Sequence, residues 1–248
     1  MFKFVVLAAL VASAIATPAR ISHGEPVDIE HYKYQVSVQY LGAHECGGTI
    51  IGERWVVTAA HCIKDYDHVT LSVHAGVTNF NEVGQKREVA YRYEHPEFNA
   101  DTLENDIAVL ELWDDLEFND KVGAANLPSS GADPASGTDA VITGWGADQE
   151  GGWASEHLLA LTVHIDDRST CKISSAVTGV LGSQLCASAH RGGPCHGDFG
   201  GPLVIDGTFV GIMASSISCG HPEYSALYTN VASFVDFIDE VIASAGRR

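Results

Sequence analysis

Positive charge is scarce in this sequence of 248 residues. It holds 14 Lys and Arg against 32 Asp and Glu, a formal net charge of −18 at pH 7 with His neutral. Nucleic acids and anionic membranes attract proteins through clustered Lys and Arg, so this balance argues against both as partners. Only 19% of residues are charged and 46% are hydrophobic, which excludes an acidic disordered chain and predicts a globular protein.

Long hydrophobic runs are also absent. The apolar run Val5–Val11 is too short for a transmembrane helix, which needs about 20 apolar residues. It follows Lys3 and precedes the small residues of Ala14–Ala16, which is the pattern of a secretory signal peptide over residues 1–16. We therefore expect a secreted protein.

A short propeptide is predicted at residues 17–20. This segment is too short to fold, and its last residue, Arg20, is a potential cleavage site for a protease that recognises basic residues. Cleavage there would leave Ile21 as the first residue of the mature chain.

Cys-x-x-Cys pairs are missing, although the chain has six cysteines. Their absence argues against a zinc–thiolate site, and an even number of cysteines in a secreted chain favours disulfides. Six cysteines allow 15 pairings, so spacing alone does not fix the connectivity. The cysteines are Cys46, Cys62, Cys171, Cys186, Cys195 and Cys219.

Helical periodicity is rare, and most of the chain has the pattern of short strands. Apolar and polar residues alternate from Tyr34 to Tyr40, which predicts a half-buried strand. Other short apolar runs are separated by Gly, Pro, Asn and Asp, which favours antiparallel barrels or sandwiches. These runs span residues 55–59, 68–75, 107–112, 140–145, 159–165 and 203–212.

One helix is predicted near the C-terminus. Apolar residues between Phe234 and Ile242 recur at intervals of three and four, and Ser233 with Asp236 forms a weak capping box. We expect this apolar stripe to pack on the C-terminal half of the chain.

A concentration of Gly, Pro and Ser between Asn126 and Thr138 predicts the boundary between two units. The expected organisation is an N-terminal unit over residues 21–128 and a C-terminal unit over residues 129–248.

Three separated segments carry the candidate chemistry. His61 lies in Thr-Ala-Ala-His-Cys after an apolar run, Asp106 lies in Asn-Asp-Ile-Ala-Val-Leu, and Phe199 lies in Gly-Asp-Phe-Gly-Gly-Pro. Taken singly, a His after a strand, an Asn-Asp pair or a glycine-rich turn is usually structural. Their combination is much more specific.

Together these segments resemble the chymotrypsin-like serine proteases, in the same order along the chain. The resemblance runs from Ile21 to the last helix and includes Gly-Gly-Thr-Ile at Gly47, Gly-Trp-Gly at Gly144 and Tyr-Thr-Asn-Val at Tyr228. It implies an all-β fold of two antiparallel β-barrels with a C-terminal α-helix. It also implies the disulfides Cys46–Cys62, Cys171–Cys186 and Cys195–Cys219.

The resemblance assigns roles to the site residues and exposes a departure. In the family a Ser loses its proton to a His, which a buried Asp orients. His61 and Asp106 match the His and the Asp, but Phe199 stands where the Ser belongs. A benzyl group has neither a proton to give nor a lone pair to attack with. The oxyanion hole would use the backbone N–H groups of Gly197 and Phe199, which do not depend on the side chain.

The resemblance also assigns the specificity pocket and its rim. Gly193 would form the floor of the specificity pocket, with Ser216 and Ala226 on its walls, so no acid is present to bind Lys or Arg. An apolar side chain is the expected occupant. His196 would lie on the rim near His61, and without a third ligand we expect no metal and no cofactor.

Two further positions depart from the family pattern, and two others match it. Ala214 and Ser215 stand where a Ser that bonds the buried Asp and an aromatic pocket wall are usual, unless the alignment slips by one residue. Ile21 and Asp198 match the new amino terminus and the carboxylate that pair after cleavage at Arg20.

These observations lead to two hypotheses. The first is a secreted, inactive protease homologue, a monomer that binds proteins or peptides as an inhibitor decoy, a substrate competitor or a cascade cofactor. The second is an active chymotrypsin- or elastase-like endopeptidase, of digestive or venom type, in which Phe199 is a sequence error or a rare allele. Phe and Ser codons can differ by one base, but one error does not explain Ala214 and Ser215.

Overall fold

Two antiparallel β-barrels and one helix make up the protein in a computed structural model that describes residues 21–147, 149–173, 179–221 and 223–247. The expected fold class is therefore confirmed. The predicted signal peptide and propeptide lie outside the described residues. The strands are β1 Glu25–Pro26, β2 Gln35–Tyr40, β3 Ala43–Gly52, β4 Trp55–Thr58, β5 Leu71–Ala75, β6 Gln85–Glu94, β7 Ala108–Leu112, β8 Asp139–Gly144, β9 Leu159–Ile165, β10 Gln184–Ser188, β11 Pro202–Ile205, β12 Thr208–Ser215 and β13 Ala226–Asn230, and the helix is α1, Val235–Ala245.

The first barrel closes in the order β2-β3-β4-β7-β6-β5, and every pairing in it is antiparallel. The second barrel runs β9-β10-β13-β12-β11-β8, and pairing of β8 with β9 closes it. Each barrel surrounds its own apolar cluster. No helix in the described part of the chain is long and apolar enough to cross a membrane.

The predicted run over residues 203–212 is a hairpin rather than one strand. Strands β11 and β12 pair around Asp206 and Gly207, whose φ values are 47° and 77°. Asp-Gly is a strong signal for a two-residue turn, because both central residues of that turn need positive φ. The periodicity also missed β3, β6, β10 and β13, in which polar residues or glycines interrupt the alternation.

The polar face of β2 is buried, contrary to the half-buried strand predicted from its alternation. Gln35 and Ser37 have no exposed surface. The Oγ1 of Thr143 in the second barrel donates to Gln35 Oε1 at 2.6 Å, and Ser37 Oγ lies 2.8 Å from Nδ1 of His44. This face therefore belongs to the interface between the barrels, where buried polar groups are satisfied by each other.

The N-terminal segment of the described chain packs on the second barrel. Strand β1 pairs with β9, and Ile21 is buried in the apolar cluster of the second barrel. Residues 21–26 therefore lie with the second barrel, although the predicted boundary put them in the first unit. Strand β1 and helix α1 therefore link the two barrels.

Helix α1 and its N-cap residue contribute Ile238, Val241 and Phe234 to an apolar cluster that is built mainly from the first barrel and also holds Phe209 and Ile212 of β12. The expected packing on the C-terminal half is therefore only part of the environment of this helix. The ring of His95 from the first unit lies 5.4 Å from that of Phe234. The predicted capping box is wrong, because Ser233 ends a preceding 3₁₀ turn and the cap position, Phe234, makes no side-chain cap bond.

Replacing Ile238 with Ala tests how much the packing of α1 contributes to the stability of the protein. Ile238 is fully buried, so the truncation is expected to lower the free energy of unfolding by about 2 to 5 kcal/mol. Glu240→Ala on the exposed side of the same helix is the control and should change it by less than about 0.5 kcal/mol. Urea unfolding measures both, and equal effects would contradict the packing described for α1.

Candidate active site

The three predicted catalytic positions meet in the cleft between the barrels. His61 lies in a 3₁₀ turn, Ala60–Cys62, directly after β4, and Asp106 lies two residues before β7. Because β4 and β7 are paired, their flanking residues are brought side by side. Phe199 comes from the loop before β11 in the second barrel. The site is therefore assembled from both barrels.

The His61–Asp106 pair has the geometry of a general base and its orienting carboxylate. Asp106 has no exposed surface, and its Oδ2 lies 2.6 Å from His61 Nδ1. The other carboxylate oxygen accepts from the backbone N–H of His61 at 2.8 Å. No third donor reaches this carboxylate among the described residues, and the buried Ala214 has no hydroxyl to supply one. The pair fixes the ring of His61 with Nδ1 toward Asp106 and leaves Nε2 to face a reactant.

Phe199 packs its ring against His61 instead of offering a hydroxyl. The two ring centroids are 5.7 Å apart at 71°, an edge-to-face contact, and His196 makes a similar contact at 5.8 Å and 88°. The Phe199 ring also packs against the apolar cluster of each barrel. The nearest polar atom recorded for His61 Nε2 is Cys62 Sγ at 3.7 Å, a disulfide sulfur without a hydrogen. Nε2 therefore has no proton to take from its neighbours.

Two backbone N–H groups around Phe199 are without internal partners in the part of the chain that the structure describes. Among the described residues, the N–H groups of Gly197 and Phe199 have no hydrogen-bond partner, while the carbonyl of Phe199 accepts from Gly47 N–H at 2.8 Å. A Cβ on Gly47 would stand 2.7 Å from the Cα of Gly201, so glycine is required where the barrels meet. The two free N–H groups are available to a carbonyl or carboxylate oxygen.

His44 supports this loop and was not singled out from the sequence. Its Nε2 lies 2.8 Å from the carbonyl oxygen of Gly197, and its Nδ1 bonds Ser37. Burial lowers the pKa of His44 to about 4, so the ring is neutral and donates from one nitrogen only. The contact fixes the peptide unit between Gly197 and Asp198, whose N–H donates to the carbonyl of Cys195 at 3.0 Å. In the sequence, His44 is only a His two residues before a cysteine, which is no distinctive pattern.

Asp198 is buried in the second barrel beside the site. Its carboxylate accepts from the N–H of Gly146 at 2.8 Å and of Cys195 at 2.9 Å. Cβ atoms on Gly144 or Gly146 would stand 2.1 to 2.3 Å from its oxygens, which explains the Gly-Trp-Gly segment. Burial raises the pKa of Asp198 to about 7, because no cation faces it in the described part of the uncleaved chain. Its expected partner, Ile21, is buried in the same barrel.

The predicted specificity-pocket residues are brought together, but the pocket is closed. One cavity of about 10 Å³ is lined by Gly193, Ser216 and Ala226, among others. This is room for about one water, so the apolar side chain expected there does not fit this structure. Gly220 also lines this cavity, and its Cα would lie 2.7 Å from a Cβ on Gly193.

The three disulfides implied by the resemblance are present: Cys46–Cys62, Cys171–Cys186 and Cys195–Cys219. Among the described residues, one cluster of three potential metal ligands is found, formed by Cys46, His61 and Cys62. Because both sulfurs are bonded to each other, this cluster lacks the thiolates that a metal would need.

Comparison with known proteins places this geometry in a family. The family model for trypsin matches residues 21–238. The chain belongs to the trypsin family. It is 36% identical over 222 residues to a trypsin of Phaedon cochleariae, covering 88% of this chain and 86% of that protein. It is 34% identical over 228 residues to a vitellin-degrading protease of Bombyx mori, covering 91% and 86%.

A solved structure shares the fold. Human heparin binding protein superposes with a TM-score of 0.79 and 27% identity, covering 89% of this chain and 96% of that one. The activity of the trypsin family is serine-type endopeptidase, and the relatives named above carry protease names. Phe199 is the residue at which this chain departs most sharply from the chemistry of that activity.

Asp198 is expected to make the uncleaved chain less stable as the pH rises. Because its pKa is raised from 3.8 to about 7, the folded chain retains a proton that the unfolded chain has released between these values. Its contribution to the free energy of unfolding is therefore complete below about pH 4 and falls by on the order of 4 kcal/mol as pH rises through 7. Asp198→Asn removes this dependence.

Urea unfolding of both chains from pH 4 to 8 measures the effect. The lowered pKa of His44 changes stability in the opposite direction, but equally in both chains, so it cancels in their difference. A difference that stays constant across this range would show that the Asp198 carboxyl is not perturbed.

Proposed function

We propose that this chain is a secreted, proteolytically inactive member of the trypsin family that acts by binding proteins or peptides. The observation that carries the proposal is the Phe199 ring, packed against an otherwise intact His61–Asp106 pair. Serine-type cleavage needs an oxygen nucleophile that gives its proton to Nε2 of the His. Phe199 offers neither atom, so no acyl-enzyme forms at this position.

The expected loss of rate is large. Removing the nucleophile of a comparable protease costs roughly a millionfold in turnover and leaves about a thousandfold over the reaction in water. The remaining acceleration comes from substrate binding and the oxyanion hole. A chain with that residual rate would not act as a protease in competition with active relatives.

Several features support a binding role. The N–H groups of Gly197 and Phe199 face no partner among the described residues, so they are available to a peptide carbonyl. The closed cavity at Gly193 disfavours capture of a long side chain, and the net charge of −18 disfavours an anionic polysaccharide, so the heparin binding in the name of the human structure is not carried over. A protein or peptide held by its backbone, such as an inhibitor or a substrate segment, fits best.

The second candidate is an active endopeptidase in which the natural residue 199 is Ser. The protease names of the relatives favour it. Ala214 and Ser215 weigh against it, because the Asp106 carboxylate accepts hydrogen bonds from His61 alone among the described residues. The three disulfides fit secretion under either candidate.

A fluorophosphonate probe separates the two candidates, because it labels only an activated serine. Processed wild-type protein is expected to remain unlabelled and to leave chromogenic peptides intact. Stoichiometric labelling of any Ser would overturn the proposal.

Phe199→Ser tests whether the rest of the framework still works. The variant adds a hydroxyl beside His61 and removes the ring from the space where a substrate carbonyl must come within about 3 Å. We expect weak labelling and slow turnover, and an increase in both when Ala214→Ser supplies a donor near Asp106. Phe199→Ala opens the same space without a nucleophile and should stay unlabelled. An unlabelled double variant would mean that the geometry of His61 and Asp106 is not competent.

Processing after Arg20 is the last part of the proposal to be tested. Ile21 has φ 37° in the uncleaved chain, a region that β-branched residues rarely adopt, and a free amino terminus has no such restriction. Its ammonium would also supply the cation that Asp198 lacks. Trypsin treatment should give a chain beginning at Ile21, with slower hydrogen exchange in residues 192–201. Another first residue, or unchanged exchange, would contradict retained activation.

A further inference from the structure

A pair of histidines on the outer face of the second barrel lies apart from the cleft. Strand pairing places His164 of β9 opposite Asp139 of β8 on one side and Ser188 of β10 on the other. Residues that are directly paired across strands project from the same face of a sheet. His190 follows Ser188 by two residues, and its ring centroid lies 6.1 Å from that of His164.

Asp139 orients the first of these imidazoles. Its Oδ1 lies 2.6 Å from Nδ1 of His164, so the proton of the neutral ring resides on Nδ1 and the lone pair on Nε2. A carboxylate behind a histidine in this way is the usual support of a metal-bound imidazole, because it fixes the tautomer and raises the basicity of the free nitrogen. The side chains of His164 and Asp139 are 42% and 72% exposed, so the free nitrogen is accessible.

The spacing of the two rings fits a shared ion. Two imidazoles bound to one zinc at Zn–N distances of about 2.1 Å have ring centres about 5 to 6 Å apart. The observed 6.1 Å needs only a small side-chain adjustment at an exposed site. We propose that His164 and His190 bind Zn²⁺, with Asp139 as the positioning residue and water or an external ligand completing the coordination.

The position of His190 gives such an ion a consequence. Gly192 and Gly193 follow it after Arg191 and line the closed specificity pocket. An ion that joins His190 to β9 would tether this segment to the barrel. Zinc is therefore expected to slow hydrogen exchange in residues 189–193.

The chain contains a matched control for this site. His68 and Asp67 also form a surface pair, with Nδ1 and Oδ1 3.1 Å apart and side chains 38% and 67% exposed. The ring stacked on His68 is that of Tyr91, at 6.1 Å, rather than a second imidazole. If any exposed His–Asp pair were enough, both pairs would bind zinc alike.

Calorimetric titration of the full secreted protein with Zn²⁺ tests the proposal. His164→Gln and His190→Gln should each weaken binding at least tenfold, Asp139→Asn should weaken it by about tenfold or more, and His68→Gln should leave it unchanged. In histidine NMR spectra, zinc should shift the ring signals of His164 and His190 together. Equal affinity of the wild type and both histidine variants, or an equal loss in His68→Gln, would overturn the proposal. All four substitutions are at exposed or half-exposed positions, and circular dichroism checks that the variants fold.

Discussion

The proposed function depends on one interaction, the packing of the Phe199 ring in the cleft between the barrels. The ring contacts the apolar clusters of both barrels and lies edge-to-face against His61 and His196. A serine in its place would leave this volume to a substrate and bring an oxygen to the imidazole. With Phe199, the same loop instead fills this space with a ring, and no oxygen at position 199 faces His61.

The interface between the barrels explains why the framework survives that change. Gln35 with Thr143, and His44 with Ser37 and Gly197, satisfy buried polar groups across or beside the interface. None of these bonds uses the side chain of residue 199. These supporting hydrogen bonds are therefore independent of the catalytic serine position. The main-chain N–H groups of Gly197 and Phe199 remain available to bind a ligand.

The resemblance to the chymotrypsin-like proteases correctly implied the fold class, the three disulfides and the meeting of His61, Asp106 and residue 199. Cysteine spacing alone left 15 pairings open. The sequence did not predict the buried polar face of β2, since period-two alternation cannot distinguish solvent from a second barrel. The unit boundary put residues 21–26 with the first barrel by chain order, although the resemblance already paired Ile21 with Asp198 of the second barrel. The closed cavity at Gly193, against which Gly220 lies, is a tertiary feature without a local signal.

Mass spectrometry of the peptide containing residue 199, isolated from the naturally secreted protein, distinguishes the inactive homologue from a protease. We expect the mass of the Gly-Asp-Phe-Gly-Gly-Pro sequence, with phenylalanine in every molecule. Serine at that position would contradict the proposed function, because His61 and Asp106 would then face a nucleophile.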